Sequence, residues 1–508
     1  MLTKSSSLTL AEQLCARFAD RIRSRLLASG ARLPSVRQCA QQQQVSPSTV
    51  VAAYDQLLAL GLVEARKNRG FFVRDLLQLK PSKTPSNSNL AGVSITPSAI
   101  NSIADGGANA DPSREGNLPD SATLRPLDRP VNAAMLIRGM FHQSSSKPQP
   151  GMGVFPPDWL ASSFLSAAVR KVTGSATLNK FSLQYGEPLG DASLRQSLSN
   201  KLALLNIQAA PEQIITTVGA THALDIVSRT LLKAGDTVMV EEPGWAVEFA
   251  RLQSLGMHIL PVPRRADGPD LAVMARYCEA YAGSVHRPKL FVSVSVLHNP
   301  TGYSLPPGSA HRLLQLANLH DFHIVEDDTY SHIAPEHATR LCALDGLQRT
   351  IYVSGFAKIL APNWRVGYLA APPDLVERLL DTKLLATLTT PALLEKAISL
   401  CIDQGQLRRH AERIRTQLDL ARARVVKLAL AHGCTFASEP TGLFGWVDTG
   451  VDTDALAQRM LDHGYLLAPG ALFHADRQPS TLMRINFATT QNAEFWQVFA
   501  QTVAQMLK

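Results

Sequence analysis

From Gly151 onward, short apolar runs alternate with segments of helical periodicity, and this alternation restricts the fold more than any other feature of the chain. Short runs rich in β-branched residues, separated by helices, predict a mostly parallel α/β sheet. The runs that carry this prediction are Ile214–Thr217, Thr237–Val240, Leu290–Val294, His323–Val325 and Thr350–Val353. Ligands of such sheets bind beyond the carboxyl ends of the strands, so we expect site residues directly after these runs.

Residues suited to ligand binding do follow the runs. Ala220 and Thr221 come before a helix predicted at 223–232, where free N–H groups would bind an anion, although an ordinary strand–helix turn has the same composition. Trp245 follows the second run, where its indole would stack on a flat ring or fill the core. Asn299 follows the third run, and its side-chain amide could donate to a phenolate oxygen.

Three adjacent acids, Glu326, Asp327 and Asp328, follow the fourth run. Such a cluster could bind a metal ion, but no spacing of histidine or cysteine supports a metal site, and we expect none. A carboxylate at this edge of the sheet could instead hold a pyridine nitrogen in its protonated form. The sequence favours the second use.

The stretch Ser354–Tyr368 places Lys358 among small and apolar residues, seven positions before Arg365. A desolvated lysine has a lowered pKa and can condense with an aldehyde. An arginine grips phosphate oxygens at two points with its planar fork. Together these are the groups that pyridoxal 5'-phosphate (PLP) requires of a protein. By itself such a pair is more often found on a surface, so the interpretation depends on the rest of the chain.

The length of 508 residues predicts two or three domains, and charge is distributed unevenly among them. The net charge is +8, and the first 75 residues alone carry eleven Lys/Arg against five Asp/Glu. A basic N-terminal region is typical of a nucleic-acid-binding module, although a solvated charged face is an open alternative. The six cysteines are far apart, and we find no leader and no apolar run near membrane-spanning length. These features favour a cytoplasmic protein over a secreted, disulfide-stabilised or membrane-spanning one.

The basic region has the pattern of three helices followed by a hairpin. Apolar residues every four positions predict a first helix at 8–27, and a second short helix opens at Leu33–Arg37 and runs to Gln43. A third helix begins at Ser46–Pro47, because serine is a preferred N-cap and proline suits the first turn. Two strands, Leu62–Ala65 and Gly70–Val73, enclose a basic tip. This order predicts a helix-turn-helix with a hairpin that can lie against phosphates.

The motifs L-P-S-x-R, V-S-x-S-T-V-x-x-A-Y-x-x-L, G-L-V and G-F-F-V resemble the winged helix-turn-helix of GntR-type bacterial transcription regulators. The resemblance covers about residues 8–75 and implies binding to double-stranded operator DNA. By position, the residues that would contact DNA are Arg37, Ser46, Ser48, Thr49 and, in the hairpin, Arg66, Lys67 and Arg69. Pro47 and Val51 stand where the family often has basic residues, and Gln44 where it often has glycine, so base readout must differ from the commoner pattern.

The composition divides the chain into three regions. Residues 1–75 form the predicted DNA-binding domain, and 76–130, rich in Pro, Ser, Asn and Gly, are predicted to be a flexible linker. Residues 131–508 form the α/β domain, with a large part at about 165–375 and a small part at about 376–508.

The α/β region resembles a fold-type I, PLP-dependent aminotransferase over roughly residues 150–490, through the ordered motifs G-A-T, E-P-x-W, H-N-P-T-G, D-D-x-Y and a lysine followed by P-x-x-R-V-G. By position, Lys358 would form the internal aldimine with PLP, and Asp327 would pair with the pyridinium nitrogen. Asn299 and Tyr330 would hydrogen-bond the ring O3′, and Trp245 would stack on the ring.

The same resemblance implies a phosphate site. Ala220, Thr221 and Arg365 would hold the phosphate, and Tyr185, in the run Q-Y-G-E-P-L-G, would reach the phosphate of a partner subunit.

One part of the phosphate site departs from the family. Related sequences commonly have Ser or Thr three residues before the lysine and often another just before it, where this chain has Gly355 and Ala357. Ser354 either reaches the phosphate through a shifted turn, or the site lacks one hydroxyl and holds PLP less tightly.

The combination of the two domains resembles the MocR-type regulators, in which an aminotransferase-like domain senses PLP or an amino compound. The resemblance implies a head-to-tail homodimer and a small amino or carboxylate effector, which Arg484 would bind together with Asn299. Two alternatives stay open, a metabolic aminotransferase with catalytic turnover and a scaffold that binds no cofactor. The DNA-binding module argues against the first, and the intact Asp327, Lys358 and Arg365 argue against the second.

Overall fold

The computed structural model describes residues 9–23, 27, 30–66, 69–74, 147, 149–174 and 183–507. The chain divides into two compact units, Met1–Arg129 and Pro130–Lys508, which we call the N-terminal unit and the C-terminal unit. The predicted linker at 76–130 and Lys67 of the basic hairpin lie outside the described residues. The flexibility of that linker and the domain boundaries therefore stay predictions.

The described residues of the N-terminal unit form three helices and a two-stranded hairpin, as predicted. Its elements are α1 (Leu10–Arg23), α2 (Val36–Gln43), α3 (Pro47–Ala59), β1 (Val63–Arg66) and β2 (Gly70–Val73). The Ser46 side chain accepts a hydrogen bond from Thr49 N–H, which caps α3 where the sequence predicts its start. The two strands pair antiparallel, with Val63 opposite Val73. The first helix is shorter than the predicted span 8–27, because it begins at Leu10 and ends at Arg23.

An eight-stranded sheet organises the C-terminal unit, in the order β3-β10-β9-β8-β7-β4-β5-β6. Its strands are β3 (Ile214–Thr217), β4 (Thr237–Glu242), β5 (His258–Arg265), β6 (Gly268–Pro269), β7 (Leu290–Ser293), β8 (His323–Asp327), β9 (Thr350–Gly355) and β10 (Gly367–Ala370). The five predicted runs are β3, β4, β7, β8 and β9, which all point the same way, whereas β10 lies antiparallel between β3 and β9. The carboxyl ends of the predicted strands therefore share one edge.

A second, four-stranded antiparallel sheet follows later in the chain, in the order β11-β12-β14-β13. Its strands are β11 (Thr435–Phe436), β12 (Phe444–Asp448), β13 (Ala468–Pro469) and β14 (Leu482–Asn486). The α-helices in the described residues of the C-terminal unit are α4 (Pro157–Leu160), α5 (Ser163–Thr173), α6 (Ala192–Ala203), α7 (Ala220–Leu231), α8 (Ala246–Ser254), α9 (Leu271–Ala280), α10 (Pro307–His320), α11 (Leu341–Asp345), α12 (Pro373–Thr387), α13 (Ala392–Asp403), α14 (Gln406–Ala431), α15 (Thr453–Asp462) and α16 (Ala493–Leu507).

Helices cover both faces of the large sheet. On one face, Val238 and Val240 of β4 pack with side chains of α7, α8 and α12. On the other face, Met239 packs with side chains of α9 and α10. A sheet covered on both sides needs apolar residues at successive positions, which explains why its strands read as continuous apolar runs.

None of the helices in the described ranges combines the length and the apolar character needed to cross a bilayer.

Two leucines of α10 give a matched test of the packing. Leu313 is completely buried and Leu319 is 76% exposed. We expect Leu313→Ala to lower the free energy of unfolding of the C-terminal unit by about 2–5 kcal/mol, because it leaves a cavity. Leu319→Ala should change that energy by less than about 0.5 kcal/mol. Urea unfolding followed by tryptophan fluorescence measures both energy changes. The signal reports on the C-terminal unit, because all five tryptophans lie between Trp159 and Trp496. Equal effects of the two substitutions would contradict this packing.

Candidate functional site

A helix N-terminus opens at the carboxyl end of β3. Helix α7 begins at Ala220, three residues earlier than predicted, so Ala220 and Thr221 lie in its first turn. Gly219 precedes them with a φ of 85°, and an added Cβ at Gly367 would lie only 2.5 Å from the Gly219 carbonyl carbon. Glycine at both positions allows β10 and the start of α7 to approach closely. The first N–H groups of the helix therefore face outward at the edge of the sheet.

Arg365 lies against this turn. Its Nη2 donates to Val218 O at 3.1 Å, and a Cβ added at Gly219 would lie 2.6 Å from the same nitrogen. Arg365 is exposed, so its remaining donors are available to a ligand. A guanidinium beside a helix N-terminus is suited to a phosphate group.

Lys358 lies between two charged groups of opposite sign. Burial, together with the nearby Arg484 and Arg365, lowers the pKa of Lys358 to about 8, while Asp327 acts in the opposite direction. Its Nζ donates to Gly153 O at 2.6 Å. An amine with this pKa is substantially neutral near pH 8 and can act as a nucleophile.

Asp327 ends β8 without a cationic partner among the described residues. Burial raises the pKa of Asp327 to about 6, and Glu248 and Asp328 reinforce this shift. The N–H and hydroxyl groups of Thr329 donate to Asp327 Oδ1 and partly offset the shift. A half-buried carboxylate of this kind is stabilised by a ligand that brings a proton or a positive charge.

Trp245 precedes α8 and lines the same small cavity as Asp327. Glu241 also lines this cavity; it accepts from Arg264 Nη1 at 2.6 Å and lies 3.3 Å from His298 Nε2. Burial disfavours the charge of Glu241, but Arg264 and His298 outweigh it and hold the pKa of Glu241 at about 2. The lining of the cavity thus combines an ionised carboxylate, the indole of Trp245 and the carboxylate of Asp327.

Arg484 on β14 is a buried guanidinium with no carboxylate partner among the described residues. Its Nη1 donates to Asn299 Oδ1 at 2.9 Å and its Nη2 to Gly151 O at 2.6 Å, whereas Nε has no partner there. The guanidinium lies 4.3 Å from the ring centroid of Phe444 and 5.2 Å from that of Phe473. Burial lowers the pKa of Arg484 to about 10, so it still carries a charge that an anionic ligand would compensate.

Tyr330, Tyr185 and Ser354 have different surroundings. Tyr330 is buried, meets the ring of Phe444 edge-on, and has a raised pKa because of burial. Tyr185 is 83% exposed. Ser354 is buried, and its hydroxyl donates to Asp328 O at 2.9 Å and lies 3.2 Å from Ser331 Oγ. Because this hydroxyl is already hydrogen-bonded, we do not count Ser354 among the phosphate ligands. This favours a phosphate site that lacks one hydroxyl.

The three adjacent acids have three separate environments. Glu326 accepts from the N–H groups of Leu341 and Cys342 at the start of α11. Asp328 accepts from Arg340 Nε at 2.6 Å. Only Asp327 lines the cavity, so these carboxylates do not converge on one metal ion.

Several residues of the site cannot be recognised from the pattern of residue types in the sequence. Phe444 and Phe473 flank Arg484, and an aromatic residue in an apolar run reads as core. Gly151 and Gly153 contribute carbonyl oxygens, which every residue possesses. Asn486 fixes this segment by donating to Met152 O and Val154 O, both at 2.8 Å.

Apart from Lys67, which lies outside the described residues, the predicted DNA-contacting residues are exposed or, for Thr49, half-exposed in the N-terminal unit. Arg37 and Arg69 are exposed, and Arg66 donates to Glu64 at 2.7 Å. At the start of α3, Ser46 Oγ lies 2.8 Å from both Ser48 Oγ and Thr49 Oγ1. The N-terminal unit therefore carries both exposed basic groups and a helix start that is rich in hydroxyl groups.

Comparison with known proteins agrees with both units. Residues 157–500 match the family described as aminotransferase class I and II, and residues 10–73 match the bacterial regulatory proteins of the gntR family. The HTH-type transcriptional regulator YisV of Bacillus subtilis is 25% identical over 97% of this chain and 95% of its own length. The probable rhizopine catabolism regulatory protein MocR of Rhizobium meliloti is 27% identical over 82% of this chain and 76% of its own. A kynurenine aminotransferase structure from Pyrococcus horikoshii superimposes with a TM-score of 0.67 at 24% identity, covering 73% of this chain and 95% of that one.

The chain belongs to the class I and II aminotransferases, whose fold-type I domain is the site of a PLP cofactor. Its gntR-type DNA-binding domain completes the domain arrangement of the MocR-type transcription regulators.

The charge around Lys358 gives a direct test of the site. We expect Arg484→Gln to raise the pKa of Lys358 from about 8 towards the ordinary 10.5, because a neighbouring positive charge is removed. Arg422→Gln removes a surface arginine paired with Asp419 and should leave that pKa unchanged. The pH dependence of Lys358 acetylation by acetic anhydride in cofactor-free protein, followed by mass spectrometry, measures the pKa. Equal midpoints in both variants would refute the proposed electrostatic coupling.

Proposed function

We propose that this protein is a PLP-dependent transcription regulator that senses PLP, an amino-compound effector, or both, through a site centred on Lys358. One observation carries the proposal: a half-buried carboxylate, Asp327, and a buried guanidinium, Arg484, neither with an ion-pair partner among the described residues, lie near a lysine of lowered pKa in a chain that also has a winged helix-turn-helix. A zwitterionic ligand compensates both charges.

PLP fits the residues present. Lys358 would hold it covalently through Nζ, and Asp327 would keep a proton on the pyridine nitrogen. Trp245 would cover one face of the ring, while the Asn299 side-chain amide and the Tyr330 hydroxyl would orient the phenolic oxygen. Bound there, PLP supplies an electrophilic carbon that exchanges amines and stabilises negative charge on a bound amino compound.

The phosphate group would be held at the start of α7. Ala220 and Thr221 would donate their backbone N–H groups, and Arg365 would donate from its guanidinium. An added Cβ at Gly355 would lie 3.4 Å from Ala220 N, so the missing side chain at Gly355 leaves the space beside that N–H group open. With fewer hydroxyl donors than related proteins, the site is expected to release PLP more readily.

Arg484 would bind the carboxylate of the effector, and Asn299 would orient that arginine. Both side chains are buried, so a carboxylate that reaches them exchanges water for a charge-assisted, two-point contact. The aromatic rings of Phe444 and Phe473 keep the guanidinium in place by cation–π contact.

The regulator would act as a head-to-tail homodimer. The exposure of Tyr185 supports this arrangement, because the side chain is free to reach the phosphate of a partner subunit. DNA would be bound by Arg37, Arg66 and Arg69 against phosphates and by the hydroxyl-bearing start of α3 in the major groove.

An aminotransferase with catalytic turnover is the second candidate. The complete set of Lys358, Asp327 and Arg484 favours it, because the Lys358 amine could also move a proton at the substrate carbon while the other two groups hold the cofactor and the substrate. The DNA-binding unit favours regulation, since an amino-acid metabolic enzyme gains nothing evident from it.

Cofactor binding is tested by absorption of purified protein supplied with PLP. We expect a visible band in the wild type that Lys358→Ala abolishes, because the substitution removes the amine that bonds to the aldehyde. Lys289→Ala removes a lysine that pairs with Asp236 and should leave the band intact. An unchanged spectrum in Lys358→Ala would refute the assignment of the lysine.

Regulation is tested with the DNA upstream of the protein's own coding sequence. We expect sequence-specific binding whose affinity changes when PLP or a carboxylate-bearing amine is added, and we expect Lys358→Ala to lose that change while retaining DNA binding. Steady multiple-turnover transamination without specific DNA binding would instead establish the second candidate.

A further inference from the structure

The outward face of α3 has no basic residue. Pro47, Ser48, Val51, Ala52 and Asp55 are exposed, and Val51 has 43% of its surface accessible. Their spacing of three and four positions places them along one side of the helix. Helix α3 contains no lysine or arginine at any of its thirteen positions. The face that a recognition helix would present to DNA is therefore small, apolar and acidic.

The orientation of this face is fixed by the opposite one. Val50, Ala53, Tyr54 and Leu57 are completely buried in the core of the N-terminal unit. Turning the helix to present other residues would expose this apolar surface to water. The exposed residues Val51 and Ala52 are consequently a fixed part of the protein surface.

The hydroxyl groups at the start of α3 already have partners. Ser46 Oγ accepts from Thr49 N–H at 3.2 Å and lies within hydrogen-bond distance of the hydroxyls of Ser48 and Thr49. These groups fix the helix start and satisfy one another. The centre of the face is formed by the exposed, apolar side chains of Val51 and Ala52.

The chemistry of the major groove then restricts what this face can read. Guanine presents two acceptors there, which call for arginine or lysine, whereas thymine presents an apolar 5-methyl group. Asp55 can only accept hydrogen bonds and is repelled by guanine acceptors and by phosphates. We infer that Val51 and Ala52 recognise thymine methyl groups, so that the operator base pairs that these two side chains contact are A·T pairs with thymine presented to them. This inference rests on the DNA-binding function proposed above and specifies its base readout.

Affinity and specificity would therefore come from different residues. The exposed Arg37 and Arg69 lie outside α3 and can contact phosphates of any sequence. Val51 and Ala52 would add the sequence-dependent part through apolar contact.

The test uses the full-length protein and a specific site from its own upstream DNA, narrowed by footprinting. Thymidine is replaced by deoxyuridine at one position at a time, which removes only the methyl group. We expect Kd at fixed salt to rise about fourfold at each contacted position. Val51→Ala should weaken binding to the thymidine site and make it insensitive to the replacement at the position that Val51 contacts.

Leu60→Ala is the matched control, because Leu60 is an exposed apolar residue of the same unit that follows α3. It should keep the full difference between thymidine and deoxyuridine, which separates methyl contact from any effect of the replacement on DNA shape. Specific binding that is insensitive to every replacement overturns the methyl readout and leaves the regulator proposal standing. Absence of any sequence-specific binding is a different result and refutes the regulator proposal itself.

Discussion

The candidate site depends on a half-buried carboxylate and a buried guanidinium that have no ion-pair partner in the described part of the protein. Asp327 has negative neighbours and a raised pKa, and Arg484 has aromatic rings and neutral oxygens around it. An unpaired buried charge is unfavourable, and proteins retain one chiefly where a ligand completes it. Lys358 responds to both charges, because the guanidinium lowers its pKa and the carboxylate raises it. The reactivity of the amine is thus set by groups that the ligand itself would neutralise.

The large sheet makes this arrangement possible by collecting strand ends at one edge. The turn before α7, the loop that ends in Trp245 and the acids at the end of β8 come from separate parts of the sequence, and parallel strands bring them together. Glycines at 219 and 367 let two backbones approach more closely than any side chain would permit. A guanidinium and a helix N-terminus can then share one small region.

The sequence predicts the strands and the polar residues at their carboxyl ends well, because both leave a pattern in residue type. Five runs form five strands of one direction, and Trp245 and Asp327 line one cavity, whereas the roles of the site residues stay predictions. The rest depends on tertiary contact. The carbonyl groups of Gly151 and Gly153 have no signature in sequence, and the start of α7 at Ala220 depends on the close approach of β10. Ser354 shows the same limit, because position alone could not reveal that Asp328 O takes its hydroxyl.

The segment formed by residues 149–154 can couple ligand binding at one end of the site to ligand binding at the other. Gly153 accepts from Lys358 and Gly151 from Arg484, so one short stretch of backbone is tied to both ends of the site. A ligand that engages either side chain competes with one of these ties and alters the restraint on the other. Thermodynamic reciprocity then requires that occupancy at the lysine and occupancy at the arginine share a coupling free energy. Binding at the lysine and binding at the arginine would thus be coupled through six residues of main chain.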